Sequence, residues 1–173
     1  IGKTPKAAKL IYTHYSKKDL TAIIRLMLKT SNNFIANQLL LAIAYKSNPQ
    51  KVSIDAGAKT IERFLITRVG LSKKEFSIVE GSGISRQNKF RPSALLKLLD
   101  YSKRLIDLFP NIKDSNYPGL SKLGNKNRIF AKTGTLVNVS NLAGYYRRDN
   151  KWISMVVMSD HQRSIITADL LKN

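Results

Sequence analysis

The chain has 173 residues, of which 43% are hydrophobic, so its length and composition fit one compact domain with a buried core. Its 30 Lys and Arg residues stand against 11 Asp and Glu residues, and the formal charge of +19 implies a polyanion nearby without identifying it. The sequence has no cysteine, which excludes disulfides and thiol chemistry, and its two histidines are isolated. We therefore expect neither a metal site nor another cofactor. No run of 18 apolar residues is present, so no transmembrane helix is predicted.

The basic residues are spread along the chain without a block of five or six. No zinc finger, Gly-x-x-Gly clamp or aromatic-rich sheet pattern accompanies them. We expect a solvated basic surface and no specific nucleic-acid partner. Nucleic acid, anionic lipid and anionic cell-wall polymer would all be attracted by the net positive charge, so the charge does not distinguish them.

The first predicted helix begins near Ser16, which with Asp19 resembles a capping pair. Apolar residues then recur at helical spacing, at Leu20, Ile23, Ile24, Met27 and Leu28. Short polar residues at 30–33 interrupt this pattern, because their side chains compete with helical hydrogen bonds. A second helix is predicted over residues 34–46, with a core face formed by Ile35, Leu39, Ala42 and Ile43. The polar interruption should therefore lie at a junction between two buried helices.

Helices and turns alternate in the middle of the chain. Ser53 is well placed to cap a third helix that stops near Gly70. A short strand is predicted over residues 76–79. It leads into a glycine-flanked turn at 80–83, where the backbone must bend sharply or approach another group closely. Pro92 suits the first position of a fourth helix, which a further short helix should follow.

The last third of the chain is predicted to contain a loop, strands and a closing helix. Residues 110–127 have the composition of a loop. Apolar runs at 142–146 and 152–158 indicate two strands joined by a charged hairpin loop, and the second strand reads as buried on both faces. Apolar residues at helical spacing within 161–172 predict the closing helix.

The most informative stretch is Arg128 to Tyr146, where a Lys-Thr-Gly-Thr run lies between two apolar runs. Lys132 offers an ammonium, and Thr133 and Thr135 offer hydroxyl and N–H donors. Gly134 leaves the backbone open to a ligand, so at a sheet edge this run can hold a carboxylate. A Lys-Thr-Gly sequence is also common in solvated loops, and the interpretation therefore depends on other motifs.

Two further motifs accompany this run in a characteristic order. They are Ser-Asn-Asn at 31–33, which opens a helix as S-x-N, and E-G-S-G-I-S-R-Q-N at 80–88. With A-K-T-G-T-L and L-A-G-Y within 131–145, the chain resembles the penicillin-binding serine D-Ala-D-Ala carboxypeptidase/endopeptidase family over roughly residues 20–172. The resemblance implies an α/β (α+β) fold of the penicillin-recognising serine transpeptidase/β-lactamase-like type, with helices packed on a mainly antiparallel sheet. Residues 1–173 would form the C-terminal part of one such domain.

The resemblance also implies acyl transfer by a serine, which would attack the peptide bond between two D-alanines or be trapped by a β-lactam. Lys132, with Thr133 and Thr135, would hold the terminal carboxylate, and the Thr135 N–H would donate to the oxyanion. Ser31 would pass a proton toward the leaving amine, and Asn33 would bind the amide side chain of the acyl donor. Ser31, Asn33 and Lys132 should therefore converge on one groove.

The family's nucleophile lies in an S-x-x-K motif, and no serine of this chain has a lysine three residues later. Lysines near Ser16 and Ser72 have the wrong spacing, and Lys97 is one residue too far from Ser93. We expect the nucleophile upstream in a missing N-terminal part of the same protein, or on another chain, and an inactive isolated chain. Apolar surface should then be uncovered on the N-terminal side, or buried against a partner.

The implied function is cleavage of D-Ala-D-Ala stem peptides of peptidoglycan, in the periplasm or otherwise outside the cytoplasmic membrane, with β-lactams as ligands. A basic surface is consistent with an anionic cell envelope. Two alternatives remain open at this point. One is a non-catalytic protein that binds a polyanion, which penicillin would not label, and the other is a β-lactamase-like hydrolase, which would turn β-lactams over rapidly.

Overall fold

The computed structural model describes residue 5 and residues 7–114 and 128–160. In these ranges four α-helices precede the main sheet: α1 (Leu20–Thr30), α2 (Asn33–Ser47), α3 (Ile54–Phe64) and α4 (Pro92–Tyr101). Short helical segments of π or 3-10 type occur at Leu65–Val69, Lys73–Glu75, Lys103–Leu108 and Ile112–Asp114. The predicted closing helix at 161–172 and most of the predicted loop at 110–127 lie outside the described residues.

The strands form two antiparallel sheets. A small pair consists of β1 (Phe76–Ser77) and β2 (Lys89–Phe90). The main sheet contains β3 (Ile129–Leu136), β4 (Val139–Arg148) and β5 (Lys151–Ser159), in that order. Helices packed on an antiparallel sheet are the predicted α+β arrangement. Within the described residues, no helix has the length and apolar character needed to cross a membrane.

Local capping chemistry determines where the helices begin. Asp19 is the N-cap of α1, because its Oδ1 accepts the N–H of Ala22 at 2.7 Å. The predicted start near Ser16 is therefore wrong, and the Ser16 hydroxyl accepts the N–H of Lys18 in a local turn. The predicted cap of α3 is confirmed, since the Ser53 hydroxyl accepts a helical N–H at 3.0 Å.

The buried face of α2 differs from the predicted one. Leu40 and Ala44 are buried, whereas Ala42 is exposed and Ile43 is 39% exposed. The apolar residues of α2 are distributed around all sides of the helix, so their periodicity alone does not predict which face is buried. Contact with α3 selects it, because a Cβ added at Gly57 would lie 2.5 Å from the Leu40 carbonyl oxygen.

The prediction that α1 is a buried helix is also wrong. None of its residues is fully buried in the described part of the chain, and Leu20 is 60% exposed. The preceding segment is more exposed still, with Ile11 at 97% and Tyr15 at 82%. The expected uncovered apolar surface on the N-terminal side is therefore present among the described residues.

The two faces of the main sheet pack on different elements. On one face the Tyr145 hydroxyl donates to the Leu99 carbonyl of α4 at 2.8 Å, and the Tyr145 ring meets Phe109 edge-on. On the other face a second buried cluster contains Ile112, Ile129, Ala131 and Leu142. The face that packs on α4 is the one that also carries Lys132, because Phe130, Lys132 and Gly134 alternate with the residues of the second cluster.

The last strand, β5, is not buried on both faces as predicted. None of its residues is fully buried in the described structure, and Ile153 is 47% exposed. It lies at the edge of the described sheet, and α4 covers one of its faces, where the Ser154 hydroxyl donates to Asp100 at 2.7 Å. The predicted hairpin before it is confirmed, with Asp149 and Asn150 both at positive φ as a two-residue type I′ turn requires.

Candidate active site

Ser31 lies between α1 and α2 in a left-handed conformation, with φ 52° and ψ 45°. The Met27 carbonyl accepts the N–H groups of both Ser31 and Asn32, which ends α1. Asn32 then caps α2, since its Oδ1 accepts the N–H of Ile35 at 2.9 Å. The two helices thus turn at Ser31, and Asn33 follows as the exposed first residue of α2.

The Lys-Thr-Gly-Thr run lies on β3, at an edge of the main sheet. Only β4 pairs with β3 among the described strands. The Ala131 N–H points away from β4, because it donates to the Pro110 carbonyl at 3.0 Å. Backbone groups alternate along a strand, so the N–H groups of Thr133 and Thr135 point to the same open edge. The edge therefore presents two backbone donors beside the Lys132 side chain.

Lys132 connects this edge to the helix junction. Its Nζ donates to the Ser31 hydroxyl at 2.6 Å and to the Thr133 carbonyl at 2.6 Å, although 101 positions separate Lys132 from Ser31. Burial lowers the pKa of Lys132 below its ordinary value. An ammonium has three donors, and these two contacts leave one for a ligand.

All six residues expected to form the site line one cleft of about 590 Å³. Ser31 and Asn33 contribute from the helix junction, and Lys132, Thr133, Gly134 and Thr135 contribute from β3. Lys132 is the only charged residue among the described residues of the lining, so the cleft favours an anion. Across the described ranges, no group of three His, Asp or Glu side chains is arranged to hold a metal ion.

A loop organised by Glu80 forms the opposite wall. One carboxylate oxygen accepts the N–H and hydroxyl of Ser82, at 2.5 and 2.6 Å, and the other accepts from Gly83, Ser85 and Asn88. Burial alone would raise the pKa of Glu80, but the donors from Ser82, Ser85 and Gly83 outweigh it and hold the pKa below its usual value. Sequence patterns predict a turn at 80–83 and a family motif at 80–88, but they do not reveal that the Glu80 carboxylate fixes the loop.

Two contacts position this loop relative to the rest of the cleft. The Gly81 N–H donates to Asn37 Oδ1 at 2.8 Å, and a Cβ at Gly81 would lie 2.7 Å from the Ala36 carbonyl oxygen. The predicted close approach of the backbone at this turn is therefore confirmed. Arg86 donates to the Val137 carbonyl at 2.7 Å and joins the loop to the turn between β3 and β4. The observed strand β1 is shorter than the strand predicted over 76–79, because only two of these residues pair with β2.

Ser82 also lines the cleft, but its surroundings do not suit a nucleophile. Its hydroxyl already donates to Glu80, and a carboxylate with this many hydrogen-bond donors is a weak base. This geometry is consistent with the predicted turn at 80–83, in which Ser82 lies.

Sequence comparison places the chain among known proteins. A sequence model described as the D-Ala-D-Ala carboxypeptidase 3 (S13) family matches residues 1–168. The chain belongs to this family. The D-alanyl-D-alanine carboxypeptidase DacB of Haemophilus influenzae is 30% identical over 155 residues, which cover 84% of this chain and 32% of that protein. The chain therefore spans about a third of the length of this relative.

Solved structures give the same result for the fold. Penicillin-binding protein 4 (dacB) of H. influenzae, in complex with a β-lactam, has a TM-score of 0.73 and 27% identity, with 82% of this chain and 35% of that chain covered. A predatory endopeptidase of Bdellovibrio bacteriovorus, in complex with an immunity protein, has a TM-score of 0.68 at 19% identity. That match covers 89% of this chain and 41% of the endopeptidase chain. The second likeness shows the fold alone. Together these matches confirm the predicted family and the α+β fold.

Proposed function

We propose that this chain provides the carboxylate-binding side of a serine-type D-Ala-D-Ala carboxypeptidase or endopeptidase that acts on peptidoglycan stem peptides and binds β-lactams. The observation that supports this most strongly is the 2.6 Å contact between Lys132 Nζ and the Ser31 hydroxyl at the open edge of β3. It brings two of the three motifs into one cleft and places a cation, a hydroxyl and backbone donors together.

The open edge of β3 suits an extended peptide that ends in a carboxylate. Such a peptide can add to a strand edge by main-chain hydrogen bonds, and here the N–H groups of Thr133 and Thr135 face that edge. The third donor of Lys132 would hold the terminal carboxylate, a charge-assisted contact worth about 1.5–3 kcal/mol. The absence of a side chain at Gly134 lets the ligand approach the backbone.

The reaction we propose is acyl transfer. A serine attacks the carbonyl carbon of the D-Ala-D-Ala bond and gives its hydroxyl proton to the lysine of the same S-x-x-K segment, while the oxyanion accepts the Thr135 N–H. The C–N bond then breaks as that proton passes to the leaving amine. Ser31 would relay that proton to the amine, because its hydroxyl lies in the cleft beside Lys132, which stays an ammonium and keeps its contact with the carboxylate. Asn33, at the start of α2, would bind the amide of the acyl donor. Water then releases the acyl group.

The nucleophile of this reaction would come from an S-x-x-K segment outside residues 1–173, since no serine within them has that spacing. We propose the rest of the same protein as its source and the periplasm, or another compartment outside the cytoplasmic membrane, as its location. The names of the relatives, a D-alanyl-D-alanine carboxypeptidase and a penicillin-binding protein, support this assignment.

Intact-mass analysis after penicillin treatment tests the proposal. A longer product that carries the S-x-x-K segment should gain one penicillin, whereas the 173-residue chain should gain none. A stoichiometric adduct on the short chain would show that its nucleophile lies within residues 1–173. No adduct on the longer product would favour the non-catalytic alternative, and rapid loss of the adduct with β-lactam turnover would indicate a β-lactamase-like hydrolase.

A further inference from the structure

Asn141 of β4 lies on the same side of the main sheet as Lys132. It pairs with Gly134 of β3, while Lys132 pairs with Ala143. Paired residues share a face and successive residues alternate, so Asn141, Gly134 and Lys132 are all on one face. Diagonal neighbours of this kind have Cα atoms about 7–8 Å apart. A small anion on this face can therefore reach both side chains.

The absence of a side chain at Gly134 leaves the amide of Asn141 uncovered. A Cβ at Gly134 would lie 3.6 Å from Asn141 Cβ and 3.9 Å from Nδ2, so a larger residue there would lie over the amide. Asn141 is half-buried and lines the cleft. Within residues 7–114 and 128–160 its amide has no hydrogen-bond partner, and it is not sealed from solvent. Its two N–H donors are therefore available to a ligand.

The surrounding charges favour an anionic ligand at this amide. Lys132 supplies the charge of the described lining and has a donor left for a ligand. The Glu80 carboxylate, behind the opposite wall, is occupied by the donors of its own loop. Two oxygens of one carboxylate can therefore accept from two residues of the sheet.

We propose that Asn141 is a second anchor for the C-terminal carboxylate of the bound peptide. Its Nδ2 donates to one carboxylate oxygen, and Lys132 donates to the other. The assignment rests on the proposed function, which supplies the peptide, and extends it to a residue outside the three sequence motifs. Asn141 would thus help this site to distinguish a free C-terminus from a carboxamide.

Two peptides test this assignment by calorimetry with the 173-residue chain: acetyl-D-alanyl-D-alanine and its C-terminal carboxamide. Asn141→Asp keeps the size of the side chain but replaces its donor with an anion. The acid peptide should then bind at least about tenfold more weakly, because a hydrogen bond is lost and like charges face each other. The carboxamide can donate to the aspartate, so its affinity should change by less than about threefold.

A matched control separates this effect from the added negative charge. Asn150→Asp makes the same change in the turn between β4 and β5, at the opposite end of β4 from Asn141. It should leave both affinities unchanged. A purely structural role of Asn141 would lower the two affinities equally and leave their ratio as in the wild type.

Nuclear magnetic resonance of the wild-type chain tests the contact without a variant. The side-chain amide signals of Asn141 should shift on titration with the acid peptide. Suppose that Lys132→Ala abolishes binding of the acid peptide, but that binding does not shift the Asn141 signals and is unchanged in Asn141→Asp. This result would overturn the Asn141 assignment and leave the proposed function standing. Failure of the wild-type chain to bind millimolar acid peptide overturns both.

Discussion

The left-handed conformation of Ser31 gives a stability prediction that is independent of any ligand. At φ 52° and ψ 45°, a residue with a Cβ is about 1 kcal/mol less favourable than glycine. Ser31→Gly and Ser31→Ala both remove the hydroxyl that accepts from Lys132, and they differ only in the Cβ. We expect Ser31→Gly to be more stable than Ser31→Ala by about 1 kcal/mol, or about 2–4 °C in Tm for a chain of this size.

Urea unfolding followed by circular dichroism measures this difference, and equal m values in the two variants would show that the unfolded states are comparable. Activity should not follow stability. In a longer product that carries the S-x-x-K segment, both variants should be acylated by penicillin at least about 100-fold more slowly, because both lack the proton-transferring hydroxyl. Equal stabilities, or a more stable alanine variant, would refute the left-handed assignment. Wild-type acylation by Ser31→Gly would remove the hydroxyl from the mechanism.

Three further predictions concern packing and charge. Gly144→Ala should lower the free energy of unfolding by more than about 3 kcal/mol or prevent folding, since its Cβ would lie 2.5 Å from the Ala131 Cα. Gly134→Ala should lower the free energy of unfolding by less than about 1 kcal/mol. Similar melting temperatures for the two variants would contradict this prediction. The pKa of Glu80 in the folded state is below its unfolded value of about 4.5. The ionised Glu80 carboxylate therefore contributes its full stabilisation of the fold above about pH 4.5, and this contribution is lost as the pH falls through the folded-state pKa. Unfolding free energies of Glu80→Gln should therefore depend less on pH in this acidic range than those of the wild type, and identical pH profiles would exclude the effect. Affinity for the acid peptide should fall as the pH rises through the lowered pKa of Lys132, and a constant affinity up to 10.5 would argue against an ammonium contact.

The parts of the structure that sequence could predict are those with local causes. The cap at Ser53, Pro92 at the start of α4 and the two-residue turn between β4 and β5 follow from the preferences of a few adjacent residues. The apolar runs on both sides of the motif around Lys132 indicate a strand, which is β3 in the structure. The start of α1 was misplaced because Ser16 and Asp19 are both good caps, and the Ala22 N–H bonds to Asp19.

The remaining features depend on contacts that only the folded chain brings together. The buried face of α2 is selected by Gly57 of α3, which no periodicity within α2 reveals. The ordering of the loop by Glu80 depends on five donors that only the folded backbone brings together. Asn141 was missed because its position in the cleft follows from the register of β3 with β4, and register is a property of the paired strands.

The role of Lys132 is tested most directly by the rate at which penicillin acylates a longer product that carries the S-x-x-K segment. Lys132→Ala should slow acylation by about 10–100-fold, because it removes a charge-assisted contact to the β-lactam carboxylate and leaves the serine in place. Lys132→Arg should be intermediate, since it keeps the charge but not the compact ammonium geometry. Lys59→Ala, which removes an exposed lysine of α3, is the matched control and should react like the wild type. Equal rates for the wild type and Lys132→Ala, measured by intact mass over time, would remove Lys132 from the site and contradict the proposed function.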